Sequence, residues 1–359
     1  MNKFFIMKKS IIIIFWFFLI VLLLYVPNFI SRFFEKKQEF NFLNFTDIVS
    51  PEVVKIFKDR TGIQVNVTYS QGNDEVLAKL GITRGKVYDL LVVSDYTVDL
   101  LRKKELIQKL DYNKLQNFSF IDKRIINRYF DPKNEYSIPI SWDVYGIGYN
   151  KKYFGELSEA SWDLIFKDPE NLGYDYKVSM LDDPRESLYL ASLFLFGPRG
   201  VILSGLDKIT ELLIKQKKWV ESYTNDRQDY FLLSDITFAS VITSAYLRRL
   251  RKESKNYDFI IPSEGSLMVI ENLIIPSTSD KRDLVHKFIN FLLSEEIGIL
   301  NNKKFGYHPV NVDVQKSLNE EYSNSLFSLT QQKSQKIGIF QSELPRTKLE
   351  DLWLSVKAS

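Results

Sequence analysis

The chain has 359 residues, 45% of them hydrophobic, and its length suggests two lobes, because single cores rarely grow beyond about 250–300 residues. The formal charge is +3, but residues 1–39 carry six Lys/Arg and two acids; the rest, 42 bases against 43 acids, gives no electrostatic footprint for nucleic acid. The absence of cysteine excludes disulfides, thiol catalysis, thiolate metal sites and lipid attachment through a cysteine, and His286 and His308 are too few for a His-rich zinc site.

Taken in chain order, Lys8 and Lys9 precede an uninterrupted apolar run over residues 11–26 that continues to Ile30 before charge returns at Arg32. A basic start followed by an apolar stretch reads as an export signal. The run lies near the roughly 17-residue lower limit for a spanning helix, and no small-residue cleavage site follows it. The expectation for residues 1–39 is a signal peptide or, the preferred reading, an uncleaved signal anchor over residues 11–30, with cleavage left open and the rest of the chain outside the cytoplasm.

From Phe40 onward, strand-like runs alternate with helical periods. Residues 40–45 read as a strand. Ser50, Pro51 and Glu52 supply an N-cap, a proline at the first helical position and an early acid, so a helix starts there and ends near Thr61 and Gly62. Residues 63–69 alternate apolar and polar, as a half-buried strand does. Residues 73–80 read as a helix, 88–93 as a buried strand and 96–104 as a helix. Such alternation predicts an α/β fold with helices on the faces of a parallel or mixed sheet. Ligands then bind outside the carboxyl ends of strands, which directs attention to residues 44–48 and 94–96. No repeat, low-complexity tract or Pro/Gly-rich linker divides the chain, so the lobes are expected to share strands.

A longer series of residues carries a resemblance. It begins with Asn44-Phe45-Thr46-Asp47, Pro51-Glu52-Val53, Thr61-Gly62-Ile63, Tyr88-Asp89-Leu90 and Ser94-Asp95-Tyr96. It continues with Tyr136-Ser137-Ile138-Pro139, Trp142, Gly146-Ile147-Gly148-Tyr149-Asn150, Ser161-Trp162 and the run from Ser179 to Glu186. The run from Ile261 to Gly265, that from Lys287 to Leu293 and Gly306-Tyr307 complete it. In this order the set resembles the spermidine/putrescine-binding receptors of bacterial polyamine ABC importers, from about Phe40 to the C-terminus.

The resemblance implies a two-lobed periplasmic-binding-protein fold with a hinge and an interlobe ligand cleft, preceded here by the signal anchor of residues 1–39. By that comparison one lobe spans 40–143 plus 270–315 and the other 144–269 plus 316–359. It also implies delivery of a polyamine to ABC permease subunits in the periplasm, without a cofactor; a monomer is expected, and the apolar run of residues 11–30 adds the expectation of a tether to the cytoplasmic membrane. A polyamine site needs carboxylates for its ammonium groups, aromatic faces for its methylenes and neutral acceptors. The matching positions are Phe45, Thr46, Ser94, Tyr96, Asp183, Glu186, Glu271 and Gln341, with Trp142, Asp143 and Asn225 as further candidates. Asp183 and Glu186 would hold one end of the ligand and Glu271 the other, while Ser94, Tyr96 and Gln341 fix its orientation.

The chain departs from the family where Phe45, Ile48, Ile242 and Val269 stand in for aromatic residues of the cleft, and Glu271 replaces an aspartate. Asp143 stands where the family often has glycine. Asp183-Pro184-Arg185-Glu186 is also a sound helix start, with an N-cap, a first-position proline and a capping-box acid. Nucleotide-binding, zinc-protease and serine-hydrolase motifs are absent, which disfavours an enzyme. A different cationic amine as ligand, or a sensor role on the same fold, stands as the alternative.

Overall fold

The computed structural model describes residues 14–22, 38–83, 85–197, 205–225, 228–318, 336–339, 341 and 344–359, without the side chains of 247–249 and 252. The chain separates into two compact units, residues 1–39 and 40–359. In the first, residues 14–22 are helical and large apolar side chains such as Phe15 and Trp16 are exposed. The remainder of the expected anchor, residues 11–13 and 23–30, lies outside the described residues. No described helix is long and apolar enough to cross a membrane.

The second unit opens with the predicted alternation: β1 (Glu39–Phe45), α1 (Pro51–Thr61), β2 (Gln64–Ser70), α2 (Asn73–Thr83), β3 (Leu90–Ser94) and α3 (Asp95–Lys103). The ends of α1 follow from local chemistry. The Ser50 side chain accepts from the Val53 amide, Pro51 fills the first turn, and Gly62 stops the helix at φ +72°, where its N–H bonds the Lys58 carbonyl. That left-handed φ favours glycine because it has no Cβ. Every residue of β3 is buried, as expected of a strand covered on both faces. It lies between β1, to which it is parallel, and the antiparallel β9 (Ser266–Ile274).

Further along run β4 (Ser137–Asn150), β5 (Val178–Met180), α4 (Pro184–Phe196) and α5 (Leu206–Gln216). β6 (Val220–Tyr223), β7 (Ala239–Thr243), α6 (Ser244–Glu253) and β8 (Tyr257–Ile260) follow. After β9 come α7 (Arg282–Leu292), α8 (Glu295–Phe305), β10 (His308–Pro309), β11 (Ile337–Ile339) and α9 (Arg346–Ala358). Within residues 40–359 these labels cover the described helices of nine or more residues. Among the described residues the strands form one sheet in the order β2-β1-β3-β9-β4-β7-β5-β6, with β8 and β10 on β4 and β11 on β9.

β4 connects the halves of this sheet. Its first part, through Val144, pairs with β9; from Tyr145 it pairs with β7, and from Ile147 with β8 as well. Two glycines let neighbours close on that second part. A Cβ on Gly146 would stand 2.6 Å from the Ile260 carbonyl oxygen, and one on Gly148 2.2 Å from Ile242 Cδ1. The apolar core gathers into two main clusters. In the first, Phe288 packs its ring against Phe40, Phe42 and Phe57 at 5.5, 5.7 and 4.8 Å. That cluster also takes in Ile242, Tyr246 and Phe259. The second surrounds Trp162, Ile147, Val178 and Val241, and α9 joins it through Leu349, Trp353 and Val356.

Candidate ligand cleft

Between the strand ends of the two clusters lies a cavity of about 540 Å³. β1 and the turn after it contribute Phe45 and Thr46, with Ile48 beyond, and the end of β3 brings Ser94 and Tyr96. β4 contributes Trp142 and Asp143, the start of α4 Asp183 and Glu186, the turn after β6 Asn225, and β9 Glu271. Gln341 is exposed and is not among the lining residues.

Two of the expected substitution sites fare differently. Val269 lines the cavity, two residues before Glu271 on the same face of β9. Ile242 does not: its side chain fills the space above Gly148 and is buried in the core, while Thr243, Ala245 and Tyr246 of the same segment reach the cavity. With Tyr145, Tyr246 and Tyr307 added to Phe45, Tyr96 and Trp142, the cleft is richer in rings than its departures from the family suggest. Tyr145 has a signal in the sequence, since Ser141, Asp143 and Tyr145 alternate along β4 and all reach the cavity.

Glu271 is held by a relay. Ser94 Oγ donates to its carboxylate, 3.0 Å from either oxygen, and accepts from Asn73 Nδ2 at 2.8 Å. Asn73 Oδ1 in turn accepts the Ser94 amide at 2.9 Å. Ser94 stands at the N-cap of α3, yet its side chain makes no capping bond there. Burial pushes the Glu271 carboxyl up to about 8, against the downward pull of the Ser94 bond. Next to it, burial likewise takes Asp95 up to about 7, while the Tyr96 amide bonded to its carboxylate works in the opposite direction.

Asp183 caps α4 by accepting the amides of Arg185 and Glu186 at 2.8 and 3.2 Å. The reciprocal arm of a capping box is not made. Glu186 instead turns to Tyr145, whose hydroxyl donates to it at 2.6 Å. Burial, followed by the nearby charge of Asp183, holds the Glu186 carboxyl well above the usual carboxylate range. Neither Glu186 nor Glu271 has an ion-pair partner among the described residues.

Other acids of the cleft are occupied. Arg185 Nη2 lies 2.9 Å from Asp183 and 3.3 Å from Asp74, and its guanidinium stacks on the Tyr96 ring at 3.8 Å. Asp182 accepts from Trp353 and Lys357 on α9. Asp143 accepts the Val144 and Ala245 amides at 2.9 and 3.0 Å and the Ser244 hydroxyl. It therefore caps α6 in place of Thr243, whose own side chain makes no capping bond. Trp142 is stacked on His308 at 4.1 Å, and Asn225 accepts the Asp182 amide.

The model of the bacterial extracellular solute-binding protein family matches residues 52–326. The chain belongs to that family. Among the relatives of this solute-binding protein is the spermidine/putrescine-binding periplasmic protein of Escherichia coli, 30% identical over 306 residues, or 84% of this chain and 86% of that one. The putrescine-binding periplasmic protein SpuD of Pseudomonas aeruginosa is 31% identical over 272 residues, covering 71% and 73% of the two chains. The solved structure of a spermidine/putrescine ABC transporter substrate-binding protein from Streptococcus pneumoniae superimposes with a TM-score of 0.75. It is 26% identical and covers 89% of this chain and 99% of that chain. The fold is accordingly the expected two-lobed periplasmic-binding-protein fold.

Proposed function

We propose that this solute-binding protein captures a polyamine, spermidine or putrescine, between its lobes in the periplasm and hands it to an ABC permease. The observation that carries the reading is a pair of glutamates, the buried Glu186 and the half-buried Glu271, contributed by α4 and β9 to one cavity and lacking cationic partners among the described residues. Burying a carboxylate is costly unless a cation joins it. Two such groups in one cavity suit a ligand with ammonium groups at its ends, and the rings of Phe45, Tyr96, Tyr145 and Tyr246 suit the methylenes between them. Ser94 and Tyr145 fix the two carboxylates, and Thr46 and Asn225 add neutral acceptors.

On this reading the lobes are residues 40–143 plus 270–315 and 144–269 plus 316–359, closing by hinge motion around the ligand. The protein works as a monomer held at the cytoplasmic membrane by residues 11–30. Calorimetric titration of the purified protein with putrescine, cadaverine, spermidine and spermine tests the assignment. Submicromolar binding of one of them is expected; silence across the series from folded protein would overturn it.

A further inference from the structure

If the lobes close on a ligand, the rim of the cleft carries a contact suited to holding them shut. Resting on that reading, we propose that Asp74 and Arg346 form a latch, an ion pair across the mouth of the cleft that slows its reopening. Asp74 lies in the first turn of α2 and lines the cavity with about half of its side chain exposed, which places it at the rim. On the lobe division above, α2 belongs to one lobe, and α4 and α9 to the other. Asp74 reaches both helices: its Oδ1 lies 3.0 Å from Arg346 Nη2 and 3.3 Å from Arg185 Nη2. The neighbouring pairs Asp183–Arg185, Glu75–Lys79 and Asp182–Lys357 each stay within one lobe.

Local chemistry does not account for Arg346. It stands in the first turn of α9, where the helix dipole disfavours a cation, and Glu350 follows it four residues on, the less favourable order for such a pair. Glu350 takes its Nε, which leaves Nη2 directed at Asp74. Neither Asp74 nor Arg346 is among the residues that carry the resemblance to polyamine receptors, and Arg346 does not line the cavity. A pair this exposed contributes little to a static fold. Between two moving lobes it is made only on closure, so its effect falls on the rate of release rather than on the rate of entry.

The test is stopped-flow tryptophan fluorescence, to which Trp142 in the cleft contributes, with putrescine and spermidine. Wild type, Arg346→Gln, Asp74→Asn and the double variant are compared, with folding of each followed by circular dichroism. Arg346→Gln is expected to speed dissociation about two- to fivefold and to leave association unchanged. Asp74→Asn, which also releases Arg185, should speed it further, and the double variant should dissociate no faster than Asp74→Asn alone. The rival role for Asp74, direct contact with an ammonium group, predicts the opposite sign: removing Arg346 would free the carboxylate and tighten binding. Unchanged or slower dissociation in Arg346→Gln, or single effects that simply add in the double variant, would overturn the latch and leave the polyamine reading intact. Failure of wild type to bind either polyamine would overturn both. Should Asp74→Asn not fold, the sign of the Arg346→Gln effect decides alone.

Discussion

The two glutamates ask for different things from their surroundings. Glu271 accepts from the Ser94 hydroxyl, which the Asn73 amide holds in turn, whereas Glu186 accepts from a phenol alone. Removing either charge by Glu186→Gln or Glu271→Gln is expected to weaken polyamine binding by about 1.5–3 kcal/mol, the worth of a charged hydrogen bond, as read by calorimetry. Ser94→Ala leaves the charge in place and should cost less, about 1 kcal/mol, by releasing the Glu271 carboxylate from its position. Binding should also depend on pH. In the empty cleft burial raises the Glu271 carboxyl to about 8, which favours its neutral form at pH 7, and an incoming ammonium group should favour its ionisation. Affinity should therefore rise between pH 6 and pH 8 with release of a proton, measurable as buffer-dependent heat; a flat profile would remove Glu271 from contact with the cation. The sign for stability is opposite. A carboxyl raised on folding stabilises the empty protein most below the ordinary carboxylate range, and this contribution is lost as pH climbs through about 8.

At this scale the sequence reaches Ser94, Glu186 and Glu271, because strand ends and the family pattern mark them. It does not reach Tyr145 as the partner of Glu186, 41 residues away, or Asp74 as the partner of Arg185, 111 residues away. Those pairings exist only once β4 and α2 are placed around the cleft. Asp183 reads both as cap and as ligand group. The structure gives it the cap, and adds an arginine that a linear reading passes over.

Among the elements, the early helices and strands follow their local signals closely, since caps and alternation act over a few residues. Helix α6 depends on a residue distant in sequence instead. No side chain at its N-cap bonds it, so Asp143 supplies the missing acceptor from an adjoining strand. Asp143→Ala should lower stability by about 1–2 kcal/mol, the value of an N-cap, measured by denaturant unfolding. The part of β4 beyond the cleft also depends on glycines whose need is invisible without the fold. Gly146→Ala sets a methyl against both the Phe259 ring, at 2.5 Å, and the Ile260 carbonyl oxygen, at 2.6 Å. It should cost about 1–3 kcal/mol and disturb the pairing of β4 with β8.

For the whole molecule, the decisive feature is where the pieces of the first core cluster lie along the chain. β1 and β3 come early, yet β9, their neighbour beyond β3, and Phe288, the ring that joins Phe40, Phe42 and Phe57, come more than 170 residues after β3. Loop closure over such distances is slow and brings no reward until the last piece arrives. A chain truncated after Gly265 should accordingly show no hydrogen-exchange protection in β1 and β3, although both strands are present. The wiring of the sheet should thus act as a delay: the head of the chain is expected to stay threadable until roughly four-fifths of the whole has been made, and to lock only once β9 and Phe288 have joined it.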